Sequence, residues 1–141
     1  MKFDIKAIAQ QHFKAKVSVR FPTDDIDDNQ QTVYAKAEFL GRFRSLPISE
    51  VRQQLTEMES ARNDGSSKKV LDLLHQQIEQ YFIGFEALPG TELPFTSNGK
   101  PLDSTPENIR LLLDSKDVRD AVQTAWNDAR KNGVLEKNSV I

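Results

Sequence analysis

The most constraining feature of the sequence is a pair of stretches in which apolar and polar residues alternate. In residues 15–21, and again in residues 33–39, every second residue is apolar. Alternation with a period of two is typical of a strand with one buried and one solvent-facing side. The polar residues 22–31 between them predict a long loop, and Pro22 is predicted to end the first strand because it cannot donate to a ladder. The pair therefore predicts an antiparallel β-hairpin.

Two helical patterns follow the hairpin. Residues 48–58 carry apolar side chains at intervals of three or four, which predicts a helix with Pro47 or Ser49 at its start. Residues 63–67 interrupt this pattern, and Ser67 is a good N-cap for a second helix. Two helices with so short a connection usually pack as an antiparallel pair. The apolar side chains of the second helix are Val70, Leu71, Leu74, Ile78 and Phe82.

The segments that flank these elements have weaker signals. A short helix is predicted over residues 5–13, and Gly41 is predicted to allow a bend at the end of the second strand. Residues 81–88 are dense in apolar and aromatic side chains, and they are predicted to end the second helix and continue as a strand. Residues 89–104 contain Pro-Gly and Asn-Gly, which mark turns, and they are predicted to be irregular.

The last third of the chain is predicted to be helical. Thr105 is a suitable N-cap with Pro106 at the first helical position, and a capping box of Ser104 with Glu107 is the alternative. Ser115 is predicted to cap a final helix. The apolar side chains of that final helix are Val118, Ala121, Val122, Ala125, Trp126 and Ala129.

Together these patterns predict an α+β fold. An N-terminal antiparallel β-hairpin or small sheet is expected to pack with a mainly helical C-terminal two-thirds, in a single domain over residues 1–133. Residues 134–141 are predicted to form a flexible tail. The 141 residues are an ordinary length for one domain, and such a chain can form a core without a metal or a disulfide.

Composition excludes several classes of protein. The chain has no cysteine, which excludes disulfides, thiolate metal sites and cysteine nucleophiles. Its 19 Lys and Arg residues against 21 Asp and Glu residues provide no basic field for nucleic acid. No apolar stretch approaches the roughly 18 residues that span a membrane, and the N-terminus lacks the apolar core of a signal peptide. The chain is therefore expected to stay in the cytoplasm.

No arrangement of residues predicts catalysis or a bound cofactor. His12 and His75 lack carboxylates at metal-ligand spacing. Asp25, with Asp27 and Asn29 after it, begins like a calcium-binding loop, but Gln30 replaces the required glycine and the final glutamate is missing. We therefore predict a protein that is not an enzyme, with no catalytic residues, no metal and no cofactor.

An aromatic group in the second half of the chain is the candidate partner-binding site. Most of these side chains are expected in the core, but an exposed share of so much large apolar surface would mark a protein–protein contact. The candidate partner-binding residues are Tyr81, Phe82, Phe85, Phe95 and Trp126.

Four short segments follow one another between residues 70 and 131. They are Ile83-Gly84-Phe85, Leu93-Pro94-Phe95-Thr96, Pro106-Glu107-Asn108-Ile109 and Ala125-Trp126. In these segments the chain resembles the tail assembly chaperones of long-tailed bacteriophages, whereas the first half is similar only in plan. One departure is that residues 97–104 lie between the second and third segments, which are almost adjacent in the relatives.

The resemblance implies a non-enzymatic role in phage tail morphogenesis. Such chaperones are expected to bind the tape measure protein, keep it soluble and help recruit tail tube protein in the host bacterial cytoplasm. The resemblance also implies possible homo-oligomers, and no nucleic-acid or membrane partner is expected. Residues 81–95, near the last helix, are the predicted groove for an amphipathic helix. The alternative is an unrelated small cytoplasmic α+β adaptor or interaction domain.

Overall fold

A three-stranded antiparallel sheet lies at the centre of the computed structural model, which describes residues 2–8 and 11–131. The strands, in spatial order, are β1 (His12–Ile26), β2 (Thr32–Arg44) and β3 (Phe82–Glu86). β1 and β2 form the predicted hairpin, with Val17 opposite Phe39, and β3 pairs with the last part of β2. A short helix, α1 (Ile5–Ile8), precedes β1.

The alternating pattern gives the sheet one apolar and one polar face, because successive side chains of a strand point to opposite sides. On the polar face, Lys16 Nζ lies 2.7 Å from a carboxylate oxygen of Glu38, and the Ser18 hydroxyl donates to the same oxygen. The hydrogen bonds from Lys16 and Ser18 hold the pKa of Glu38 below its usual range. The fully buried side chains on the apolar face are Val17, Val19, Phe39 and Phe43.

Four longer helices complete the fold. They are α2 (Ile48–Asn63), α3 (Ser67–Tyr81), α4 (Pro106–Leu113) and α5 (Lys116–Lys131). α2 and α3 form a helical hairpin, and α3 continues without a loop into β3. α5 packs along β1, and its side chains Val118 and Val122 are 2% and 0% exposed. Phe82 and Phe85 of β3 join the same core.

A small second hairpin lies between β3 and α4. Strand β4 (Thr96–Ser97) pairs with β5 (Lys100–Pro101), and the turn between them consists of Asn98 and Gly99. Both turn residues have positive φ, as two-residue hairpin turns require. The Leu102 N–H donates to the Phe95 carbonyl oxygen and extends the pairing beyond the two short strands.

The α+β prediction is confirmed, and the structure corrects several local predictions near the N-terminus. Among the described residues, the opening helix covers Ile5–Ile8, and His12 already belongs to β1. Pro22 does not end β1, because β1 is an edge strand, where a residue without an N–H is tolerated. The register is irregular between Pro22 and Ile26. Gly41 lies within β2 and does not end it, although the register of β2 with β3 shifts between Arg42 and Phe43.

Helix caps are placed within one residue of the predictions. Ser66, and not Ser67, caps α3 by accepting a hydrogen bond from the Lys69 N–H. Thr105 caps α4 as predicted, with Pro106 in its first turn. Ser104 is not part of a capping box, because its hydroxyl oxygen accepts from the Phe85 N–H. The predicted tail over residues 134–141 lies outside the described residues.

Candidate functional site: a groove along helix α3

The five aromatic candidates do not form one surface. Tyr81, Phe82 and Phe85 are buried, with at most 5% of each residue exposed. Phe95 and Trp126 are half-buried and pack against the same core. Tyr81, Phe82 and Phe85 therefore belong to the core of the folded chain, and their role in partner binding stays a prediction.

These aromatic side chains instead connect the layers of the fold. The Trp126 ring of α5 stacks on the Tyr81 ring of α3, with 4.2 Å between their centroids. The Tyr81 ring in turn stacks against Phe43 of β2. Burial of Tyr81 raises the pKa of its phenol above the ordinary value, so the hydroxyl is neutral throughout the physiological range. The stacked rings therefore pack α5 against α3 and α3 against β2.

An apolar groove opens beside this aromatic core, between α3, β3 and α4. Its volume is about 420 Å³. Phe82 and Ile109 are buried side chains that form its floor, and Ile83, which is 36% exposed, forms its wall together with Pro106. The polar rim consists of Gln76, Glu79, Gln80 and Arg110.

Polar contacts lie at the rim of this groove and at the start of α4. The Asn108 side-chain amide donates to the Asp103 carbonyl oxygen at the start of α4. Across the groove, Arg110 Nε lies 3.2 Å from a carboxylate oxygen of Glu79. His75 Nε2 lies 3.6 Å from the same oxygen. The Arg110–Glu79 pair joins α4 to α3 at the rim, whereas the other two contacts lie within α3 or at the start of α4.

A second cavity, of about 540 Å³, lies between α2 and α3. Ala61, which is buried, and Leu73 are its apolar lining residues. Gln76 lines both this cavity and the groove beside α4. The other lining residues of the second cavity are polar or charged: Thr56, Glu57, Ser60, Asp64, Lys69, Asp72 and Gln76.

The remaining residues considered in the sequence occupy structural or exposed positions. His12 is exposed at the start of β1, and Asp27 stabilises a turn, since its carboxylate accepts from the Asn29 and Gln31 N–H groups. Within residues 2–8 and 11–131, no group of three or more His, Asp or Glu side chains is placed to hold a metal ion. In the same part of the chain, no helix combines the length and the hydrophobicity needed to cross a membrane.

Comparison with known proteins adds no relative. A scan against protein-family models, a search of curated proteins and a search of solved structures each found no match to this chain. The functional argument therefore depends on the residues of this chain and on the geometry of the α3 groove, defined here as the two cavities that share Gln76.

Proposed function

We propose that this protein is a tail assembly chaperone of a long-tailed bacteriophage that binds a helical segment of the tape measure protein in the α3 groove. The role is non-enzymatic, its place is the host bacterial cytoplasm, and recruitment of tail tube protein and self-association belong to the same proposal. Two things support it: the resemblance of residues 70–131 to such chaperones, and an open groove whose part beside α4 lies within those residues.

One structural observation carries the proposal. The groove beside α4 has a floor of buried apolar side chains, Phe82 and Ile109, and Ile83 remains exposed at its wall although the surrounding β3 residues are buried. An amphipathic helix recognised in a groove places its apolar side chains on such a floor and its polar side chains at the rim. A chaperone that must later be displaced needs this kind of open and limited contact surface.

The test is capture of the tape measure protein from the same phage genome when it is co-expressed with the tagged full chain. We expect capture by the wild type and loss of capture by Ile83→Asp, because a carboxylate would enter the apolar wall of the groove. Leu111→Asp is the matched control, since Leu111 lies on α4, is 65% exposed and does not line the groove.

Two outcomes contradict the proposal in different ways. If Ile83→Asp captures the tape measure protein as well as the wild type does, the groove is not the binding site. If the wild-type chain captures neither tape measure nor tube protein, the chaperone function is wrong, and the alternative of an unrelated α+β adaptor is favoured. Unfolding curves in urea should show that Ile83→Asp and Leu111→Asp remain folded, so that loss of capture reports binding.

A further inference from the structure

The two cavities of the α3 groove form one continuous path along the helix. Their α3 residues recur at intervals of three or four, which places them on one face of the helix. From Lys69 to Gln80 this face is about 16 Å long, or about three helical turns. α2 forms the wall at the N-terminal half of α3, and α4 forms the wall at the C-terminal half. The α3 residues on the path are Lys69, Asp72, Leu73, Gln76, Glu79 and Gln80.

The two ends of this path differ in chemistry. The end beside α4 is apolar, and its one acidic side chain, Glu79, is paired with Arg110. At the end beside α2, Asp64 is paired with Lys69. Glu57 and Asp72 at that end have no ion-pair partner among the described residues, although Glu57 accepts a hydrogen bond from the Gln53 amide. The groove therefore has an apolar end and an acidic end.

We propose that the occupant of the α3 groove is an amphipathic helix of at least three turns with a basic end. Its apolar side chains lie over Ile83 and Pro106, and its Lys or Arg side chains lie between Glu57 and Asp72. This inference rests on the proposed function, because it assigns the chemistry of the helix that the groove binds. Charge complementarity at one end fixes which way the helix lies along α3, as electrostatic complementarity fixes register at other interfaces.

The experiment uses the full-length chain and two synthetic peptides of about 18 residues, a length that covers the groove with one turn to spare at each end. Both peptides carry the same apolar stripe in one half. The other half carries Lys at its polar positions in the first peptide and Glu in the second. Fluorescence anisotropy of the labelled peptides gives the dissociation constants at low salt, where interactions between exposed charges are least screened.

We expect the Lys peptide to bind about tenfold more tightly than the Glu peptide, since each exposed charge pair contributes modestly. The double variant Glu57→Lys/Asp72→Lys should reverse this preference. The matched control is Glu59→Lys/Glu92→Lys, which changes the net charge equally at two exposed positions outside the groove, and it should keep a preference for the Lys peptide.

The outcomes separate this inference from the proposed function. If both peptides bind equally and Ile83→Asp abolishes both, helix binding in the groove stands and the basic end is refuted. If the two double variants change the preference for the Lys peptide by the same amount, the charge effect is not local, and the inference fails.

If neither peptide binds while capture of the tape measure protein still depends on Ile83, the amphipathic basic helix is the wrong occupant. If Ile83→Asp leaves peptide binding unchanged, the groove assignment fails as well.

Discussion

Gly41 lies near the end of β2, where its backbone packs closely against the Phe43 ring. A Cβ atom at this position would lie 2.7 Å from Cε2 and 2.9 Å from Cζ of Phe43, and 3.1 Å from Cγ2 of Val17. Phe43 is completely buried, so its ring has no free space into which it could move. The sequence indicates a special role for this glycine, but a bend and a close contact cannot be told apart without the position of the ring.

Replacement of Gly41 by alanine should therefore destabilise the fold through overpacking. We expect Gly41→Ala to lower the free energy of unfolding by about 1–3 kcal/mol. A Phe43→Leu background removes the clashing ring atoms. In that background, Gly41→Ala should lower the free energy of unfolding by at least about 0.5 kcal/mol less than it does in the wild type. Urea unfolding of the four chains gives the coupling energy, and an equal cost of Gly41→Ala in both backgrounds would show that the contact with Phe43 is not the cause.

Hydrogen bonds between glutamine residues join α2 to α3. The Gln77 amide, which is buried, donates to the Gln54 carbonyl oxygen at 2.8 Å, and the Gln54 amide donates to Gln80. Two of the four apolar residues predicted to form its buried face, Ile48 and Leu55, are 72% and 66% exposed. The period of the sequence predicted the helix correctly, but not which of its residues are buried, because Ile48 and Leu55 face solvent while Gln54 bonds to α3.

Removal of the Gln77 amide should loosen α2 selectively. A hydrogen bond of this kind contributes about 0.5–1.5 kcal/mol, so Gln77→Ala should speed amide hydrogen exchange in α2 by roughly two- to tenfold. Amides of β1 and β2 around Val17 and Phe39 should keep their protection. Gln53→Ala is the control, since Gln53 is exposed and its amide donates to Glu57 of the same helix. Equal acceleration in α2 and the sheet would mean that α2 does not open on its own.

The whole molecule is held together by contacts between residues far apart in the sequence. α5, the last described helix, packs along β1, the first strand, and the stack of Trp126 on Tyr81 joins it to α3. Strand alternation and helix periods predicted the elements and the α+β class. Whether Tyr81 or Ile83 faces the core depends on where α4 and α5 pack, and no local pattern encodes that arrangement. Three of the five aromatic candidates are therefore buried, and the open groove lies beside them.

The contact of α5 with β1 should determine whether the chain folds as a unit. Val122 is completely buried in this contact, so Val122→Asp places a carboxylate in the core without a partner. The cost, several kcal/mol, is comparable with the roughly 5–15 kcal/mol that stabilises a typical domain. We expect the variant to lose its cooperative urea transition. The transition is monitored by the fluorescence of Trp126, the single tryptophan. Asn127→Asp, at an exposed position of the same helix, should unfold like the wild type. A cooperative transition in Val122→Asp near the wild-type midpoint would mean that the fold tolerates the carboxylate and that this contact does not determine its stability.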